Sequence, residues 1–426
     1  MSPAYPYLLL EISSASQAGL HTNLRQRVLL ALIWITVLLG AYVIEEPAPY
    51  DIAVLIVFAL AICMQAIQVS GQVLVASSAL FLFLVVSVVL TSPPMDWAAW
   101  LRHSGATAIL TVSWLLFAGV THRFGQRSVR TILNACTITA VAAASLGLAG
   151  YFGAIPELQS TVIYAQRIKS FFKDPNVFGP FLLAPTLVCG MWIQSKSATA
   201  LKRVLTAGAA ILLLAANFLS FSRASYATTI FAVILYSVLT GMLRSWRSFL
   251  VLLATLGCAA FLLSLIPSVT EFLSIRLETQ RYDEDRFEIF DQALGLGSSN
   301  LLGVGAGQSN EVLGYGVHSM FLRLFADHGA PGLVAFLLFL CICITRMVTV
   351  FRRSREREAR SLAALILAAT LGTLLNGLVI ETIHWRHLWL LLGLCWYPLP
   401  EPVRCLSLVP RNALDGELDP SLDVDK

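Results

Sequence analysis

Charge is what this sequence has least of. Only 13% of its 426 residues are Asp, Glu, Lys or Arg, about half the quarter usual in a soluble domain, while 57% are apolar. With a mean hydropathy of +0.75, there is too little polar surface to cover a water-soluble globule of this size. The same composition excludes a disordered chain, which needs low hydrophobicity and high charge. No CxxC pair occurs. Seven of the eight cysteines (Cys63, Cys136, Cys189, Cys258, Cys341, Cys343 and Cys395) lie in apolar runs and read as small hydrophobes rather than a disulfide framework or a metal site. No Gly-Lys-Ser/Thr follows the glycine-rich stretch 295–316, so it is not an ATP-phosphate loop. No cleavable signal peptide is evident, because the first basic pair, Arg25 and Arg27, leads into an apolar run too long for a signal h-region.

What remains is long apolar runs. Each helix needs roughly 20 mostly apolar residues to cross the hydrocarbon, and twelve runs qualify, near 28–44, 51–67, 73–90, 105–121, 131–150, 177–193, 204–220, 226–243, 248–266, 331–350, 361–380 and 387–400. A cytoplasmic N-terminus puts 19 of the 29 basic residues inside: Arg25, Arg27, Arg123, Arg127, Arg130, Lys196, Lys202, Arg203, Arg244, Arg247, Arg346, Arg352, Arg353, Arg355, Arg357, Arg360, Arg404, Arg411 and Lys426. The positive-inside bias therefore selects this orientation. The expected fold is an all-α polytopic membrane protein of about twelve transmembrane helices with both termini cytoplasmic. Residues 1–27 form an N-terminal cytoplasmic segment, 28–400 the transmembrane domain, and 401–426 an acidic cytoplasmic tail. Two outer segments, 151–176 and 267–330, exceed simple connectors. The first resembles a re-entrant or interfacial piece, and the second joins spans nine and ten.

Ten basic residues fall on the outer side against the bias: Arg102, Arg167, Lys169, Lys173, Arg223, Arg276, Arg281, Arg286, Arg323 and Arg386. Cations kept there point to an anionic ligand, although long loops cross regardless of charge. Arg223, in Leu219-Ser-Phe-Ser-Arg-Ala-Ser225, occupies a loop of a few residues between two runs. Its fixed fork of donors suits phosphate, the alternative being a snorkelling helix anchor. The flanking serines read as a polar pocket. Arg286 lies among acidic neighbours (Asp283, Glu284, Asp285, Glu288, Asp291) that also fit a solvated helix face or an alternative base. His318 begins a helix whose Phe321, Leu322 and Phe325 share its face, and Gly329, Pro331 and Gly332 end that helix. A neutral histidine after a flexible glycine-rich stretch is suited to accept a hydroxyl proton, and the helix N-terminus favours its neutral form. His384 and His387 could share a metal, but no third ligand is in view, and Ile-His-Trp-Arg-His-Leu-Trp reads instead as an interfacial aromatic belt.

Three features together resemble the O-antigen ligase and polymerase superfamily. They are the Ser-Arg-Ala-Ser around Arg223, Arg167-Ile-Lys-Ser-Phe-Phe-Lys-Asp-Pro-Asn176 before a glycine-containing span, and Asn300-Leu-Leu-Gly-Val-Gly305 leading to His318 and Ala326-Asp-His-Gly329. All fall on the outer side, and the resemblance covers roughly residues 150–400. Ser319 departs from the family's frequent Asn and Asp327 from its usual Glu. The resemblance implies a bacterial inner-membrane glycosyltransferase with a periplasmic active site. Its donor would be an undecaprenyl-diphosphate-linked glycan, and its acceptor a hydroxyl on a glycan, lipid A-core or other molecule.

By the same resemblance, His318 is the base, Arg223 and Arg286 bind the diphosphate, and Arg167, Lys169 and Lys173 are secondary substrate-binding candidates. Transfer would be inverting and metal-independent, with no cofactor, no metal ligands and no nucleic-acid partner. The rival expectation is a secondary transporter or flippase of a lipid-linked or anionic substrate, which would place ionisable residues at mid-membrane and show internal repeats. Neither feature is evident here.

Overall fold

The computed structural model describes residues 24–90, 95–195, 197–242 and 281–398, with isolated positions between 243 and 280 and backbone alone at 89–90 and 281–285. The expected ninth span at 248–266 and the acidic tail lie outside the described residues. The architecture is helical: α1 (24–39), α2 (Pro49–Cys63), α3 (Gly71–Val85), running on as a π turn over Val86–Leu90, α4 (Trp97–Phe124) and α5 (Gln126–Tyr151). Then come α6 (Pro175–Phe181), α7 (Leu183–Gln194), α8 (Ala200–Phe218), α9 (Arg223–Leu239), α10 (Arg281–Ser299), α11 (Met320–Arg353), α12 (Arg357–Asn376) and α13 (Arg386–Leu394).

Among the described residues, seven segments are long and apolar enough to cross a membrane: Gly71–Val88, Trp97–Phe124, Gln126–Tyr151, Pro175–Gln194, Ala200–Phe218, Met320–Arg353 and Arg357–Asn376. The helices Pro49–Cys63 and Arg223–Leu239 are apolar but shorter. Lipid tails give helices no hydrophobic reason to associate, so close packing must hold them together. Small residues allow it. A Cβ on Gly393 of α13 would stand 2.5 Å from the Phe117 Cβ of α4, and one on Gly119 would stand 2.5 Å from the Ile67 side chain. Around this contact Trp114, Phe339, Trp389 and Trp396 pack ring on ring. Trp385 and Trp389 are buried in this core, so the 383–389 stretch is interior packing rather than the expected interfacial belt. The six described cysteines are all unpaired.

The expected outer connections contact one another. Val43 bridges to Phe172, Lys173 pairs with Glu46, and Arg386 grips Asp51 through two bonds of 2.9 and 2.6 Å. Met320 N donates to the Gly377 carbonyl. Asp96, which caps α4 through Ala98 N and Ala99 N, exchanges bonds with Gln308. Contacts among the expected inner connections lie elsewhere in the bundle, where Arg130 pairs with Glu358 and Lys202 sits over the Trp192 ring.

The glycine-rich stretch is not a flexible lead to His318. Val304 N and Gly305 N donate to the carbonyls of Ala326 and Asp327, and Ala330 N donates to Leu301, lacing residues 301–305 onto α11 where its helical path breaks. That break is at Gly329 (φ 63°, ψ −170°), a conformation open essentially to glycine alone. A Cβ there would lie 2.0 Å from the Leu301 carbonyl oxygen. Gly329→Ala is therefore expected to cost about 3 kcal/mol or more. Gly314→Ala (φ 66°, with open space around it) should cost about 1 kcal/mol. Thermal unfolding in detergent measures both, and equal losses would contradict the seam.

Candidate functional site

The expected re-entrant segment is a folded strap. A turn at Pro156–Leu158 and a short helix Gln159–Val162 lead into a two-residue hairpin, Ile163–Tyr164 against Arg167–Ile168. This β element was not expected in an all-α chain. It closes through Ala165 (φ 47°) and Gln166 (φ 60°), the double left-handed turn that matches strand twist. Arg167 is buried, with Nε donating to the Ser220 carbonyl at 2.8 Å and Nη2 to Asn176 Oδ1 at 2.8 Å. Ile168 N donates to the Leu219 carbonyl. The strap thus clamps the loop from which Arg223 starts α9. Ser170 (φ 49°) and Phe221 (φ 47°) are also left-handed non-glycines, and strain of this kind persists only where the surroundings over-determine it.

The serines around Arg223 do not form the open polar pocket their sequence implied. Ser220, Ser222 and Ser225 are buried. Ser222 caps α9, Ser225 Oγ donates to Asn217 Oδ1 at 2.7 Å, and Asn217 Nδ2 donates to Thr229 Oγ1 at 3.0 Å. Gly179 of α6 leaves room for this knot, since a Cβ there would come within 2.6 Å of Ser225 Oγ. Buried hydroxyls need such partners, and here they fix the backbone that presents the partly buried Arg223. Lys169 Nζ donates to the Phe172 carbonyl at 3.3 Å. Lys173 is exposed and ion-paired with Glu46 at 3.1 Å.

His318 stands partly buried just before α11, whose N-cap Ser319 accepts from Leu322 N. An Asn there would cap equally well. The Tyr315 ring meets the imidazole edge-on at 5.7 Å between centroids. Burial first, and then the positive charge of Arg286 from α10, push His318 below the ordinary histidine value. Glu381 and Asp174 oppose this shift, and Arg323 reinforces it. The imidazole therefore lies within electrostatic reach of Arg286, of the strap through Asp174, and of the Arg323–Glu381 pair. Burial and the nearby guanidinium charge favour its neutral form. Glu288 and Asp291 of the acidic cluster are exposed on α10.

Sequence reasoning missed a buried polar cluster beside His318. Arg323 pairs through Nη1 with Glu381 Oε2 and through Nε with Asp327 Oδ2 at 3.4 Å. Asp327 also accepts from Gly307 N at 3.0 Å and Ser309 N at 2.9 Å, so this carboxylate pins the glycine seam. His103, His328 and His384 surround it. The signal was present. Glu381 is the lone carboxylate between Glu358 and Glu401, set between two apolar runs where an ionisable group is costly. Arg323, Arg386 and Lys173, expected to attract an anionic ligand, each pair with an internal carboxylate. His384 and His387 part company, the second packing its ring against Phe181 and Trp385.

Residues 208–337 match the family model described as O-antigen ligase (Wzy_C), a stretch that contains Arg223, Arg286, His318, Arg323 and Asp327. Among curated proteins none matches the chain. The match takes in residues 301–305, the first half of α11, Arg223 and Arg286, and over this stretch the chain is similar to the O-antigen ligase family.

Proposed function

We propose that the protein transfers a saccharide from an undecaprenyl-diphosphate carrier to an acceptor hydroxyl on the periplasmic side of a bacterial inner membrane, as an O-antigen ligase or a polysaccharide polymerase. The observation that carries this reading is a half-buried imidazole just before α11, His318, within electrostatic reach of the Arg286 and Arg323 guanidinium groups. The positive-inside bias assigns these groups to the periplasm. In this topology α1, α2, α9, α13 and the 248–266 run complete about twelve passes, and both termini are cytoplasmic.

A polyprenyl-diphosphate sugar presents a lipid tail to the bilayer, a diphosphate at headgroup level and a glycan to water. His318 takes the acceptor hydroxyl's proton as that oxygen attacks the sugar C1. The bond from C1 to the diphosphate oxygen breaks, and the electron pair leaves with the diphosphate. Arg223 and Arg286 stabilise the charge growing there, and direct displacement inverts the anomeric centre. Arg167 positions the Arg223 loop, while Lys169 and Lys173 line the strap facing the donor headgroup.

Purified protein given labelled donor and acceptor should form free undecaprenyl diphosphate. Arg223→Ala should lower kcat/KM by about 10²–10³-fold. Arg223→Lys should recover little of this, because it keeps the charge and loses the fork. Wild-type turnover in the lysine variant would remove the bidentate role.

A further inference from the structure

The histidines behind Arg323 have no part in the transfer chemistry. His103 of α4 is 8% exposed, and neither of its ring nitrogens has a hydrogen-bond partner. Its Nε2 stands 3.9 Å from Glu381 Oε1, too far for a hydrogen bond. The His384 ring packs edge-on against it with centroids 4.3 Å apart. His384 Nε2 lies 3.1 Å from Thr107 Oγ1, and that hydroxyl already donates its hydrogen to the His103 carbonyl at 3.0 Å. Thr107 can therefore only accept, so His384 Nε2 carries the hydrogen. In the neutral ring, the Nδ1 lone pair then faces Glu381 Oε1 at 3.5 Å. Glu381 Oε1 is itself buried without a partner. Two imidazole nitrogens and one carboxylate oxygen thus converge, their ligand atoms within 4.8 Å of one another. The His384 Nδ1 and Glu381 Oε1 lone pairs so arranged repel each other unless a cation stands between them, and His103 Nε2, which makes no hydrogen bond, can complete its shell.

We propose that His103 Nε2, His384 Nδ1 and Glu381 Oε1 bind one divalent transition-metal ion of the Zn²⁺ class. Two histidines and a carboxylate are a recurrent zinc donor set, and the spacings of 3.5 and 3.9 Å need only slight contraction to reach the ~3.3–3.5 Å between ligands bonded at about 2.0–2.1 Å. The supporting contacts suit ligation as well. Thr107 fixes the His384 tautomer, and Arg323 holds the second oxygen of Glu381, as outer-shell partners do. Asp327 stays outside the set despite lying 3.8 Å from His103 Nε2, because its oxygens already accept from Gly307 N, Ser309 N and Arg323. Arg323 with Asp327 and Glu381 carries one net negative charge, which a dication more than neutralises. The ion would tie α4 to the 377–386 connection and fix the Glu381 that holds Arg323 next to His318. Its role is positional and does not rest on the transfer reading.

The test uses the full-length protein purified without chelator. Metal analysis should find about one Zn²⁺ per chain. After stripping, Co²⁺ should rebind at about one equivalent with the visible absorption of a low-coordinate nitrogen–oxygen site. His103→Gln and His384→Gln should each abolish that band, while His122→Gln, altered elsewhere on α4, should keep it. If the ligand variants fail to fold, the wild-type X-ray absorption spectrum decides, with a nitrogen–oxygen shell at about 2.0–2.1 Å and no sulfur expected. A stripped wild-type protein that takes up no Co²⁺, or a band that survives both ligand substitutions, overturns the proposal. So would NMR showing His384 as an imidazolium in the protein as purified, because a proton would then occupy the place given to the metal.

Discussion

His318→Ala is expected to reduce glycan transfer by about 10²–10⁴-fold, the range for removing a positioned general base, while the protein still reaches the membrane and unfolds at its usual temperature. The side chain is partly exposed and caps nothing, since Ser319 fulfils that role, so its loss should spare the fold. The pH profile gives a second handle. His318 must be neutral to act, so kcat/KM should rise as pH passes upward through its pKa. Burial and Arg286 depress that pKa, which places the acid limb below the ~6.5 of an ordinary histidine. Arg286→Gln removes one depressing charge and should move the limb to higher pH, in addition to lowering the rate. An unchanged rate in His318→Ala, or a limb that stays in place in Arg286→Gln, would remove the histidine from the chemistry.

Arg323→Met should be the most destabilising substitution in the buried polar cluster. Burial alone would raise the Glu381 carboxyl, but the Arg323 guanidinium outweighs it and holds the group well below the usual carboxylate range. Removing the guanidinium strands Asp327, which is fully buried, and Glu381, which is 24% exposed. Breaking a buried pair costs about 3–5 kcal/mol, and solvent at Glu381 favours the low end, about 3 kcal/mol. The sign with pH follows from the depressed pKa. The stabilisation is present above the unfolded-state value of about 4.3 and is lost as pH falls through the folded value, so Arg323→Met should flatten the acid dependence of unfolding. Thermal unfolding across pH in detergent measures this. Equal melting temperatures for variant and parent at neutral pH would refute the pairing.

The helices were legible because apolar runs of membrane length have few alternatives. Eleven of the twelve expected runs fall on described helices, and those at 73–90 and 177–193 do so within two residues at each end. The break at Gly329 and Pro331 was equally plain, since no side chain fits φ 63° with ψ −170°. Partnership across the chain was not legible. Arg386 looked like an unsatisfied outer cation until the fold brought Asp51 to it, 335 residues away. The serines beside Arg223 looked like ligand groups, but Asn217 and Thr229, on either side of that loop, draw them inward. His103 sat unnoticed just before the 105–121 run, because its neighbours come from α11 and the 377–386 connection. Periodicity reads a helix from its own residues, whereas a buried polar site is assembled from residues that no local pattern connects.

Reconstitution into vesicles with labelled undecaprenyl-diphosphate saccharide and acceptor on the His318 side tests the central claim most directly. The account predicts glycosylated acceptor and free undecaprenyl diphosphate in equal amounts, dependent on His318. Intact lipid-linked saccharide appearing in the opposite leaflet, with no diphosphate released, would contradict it.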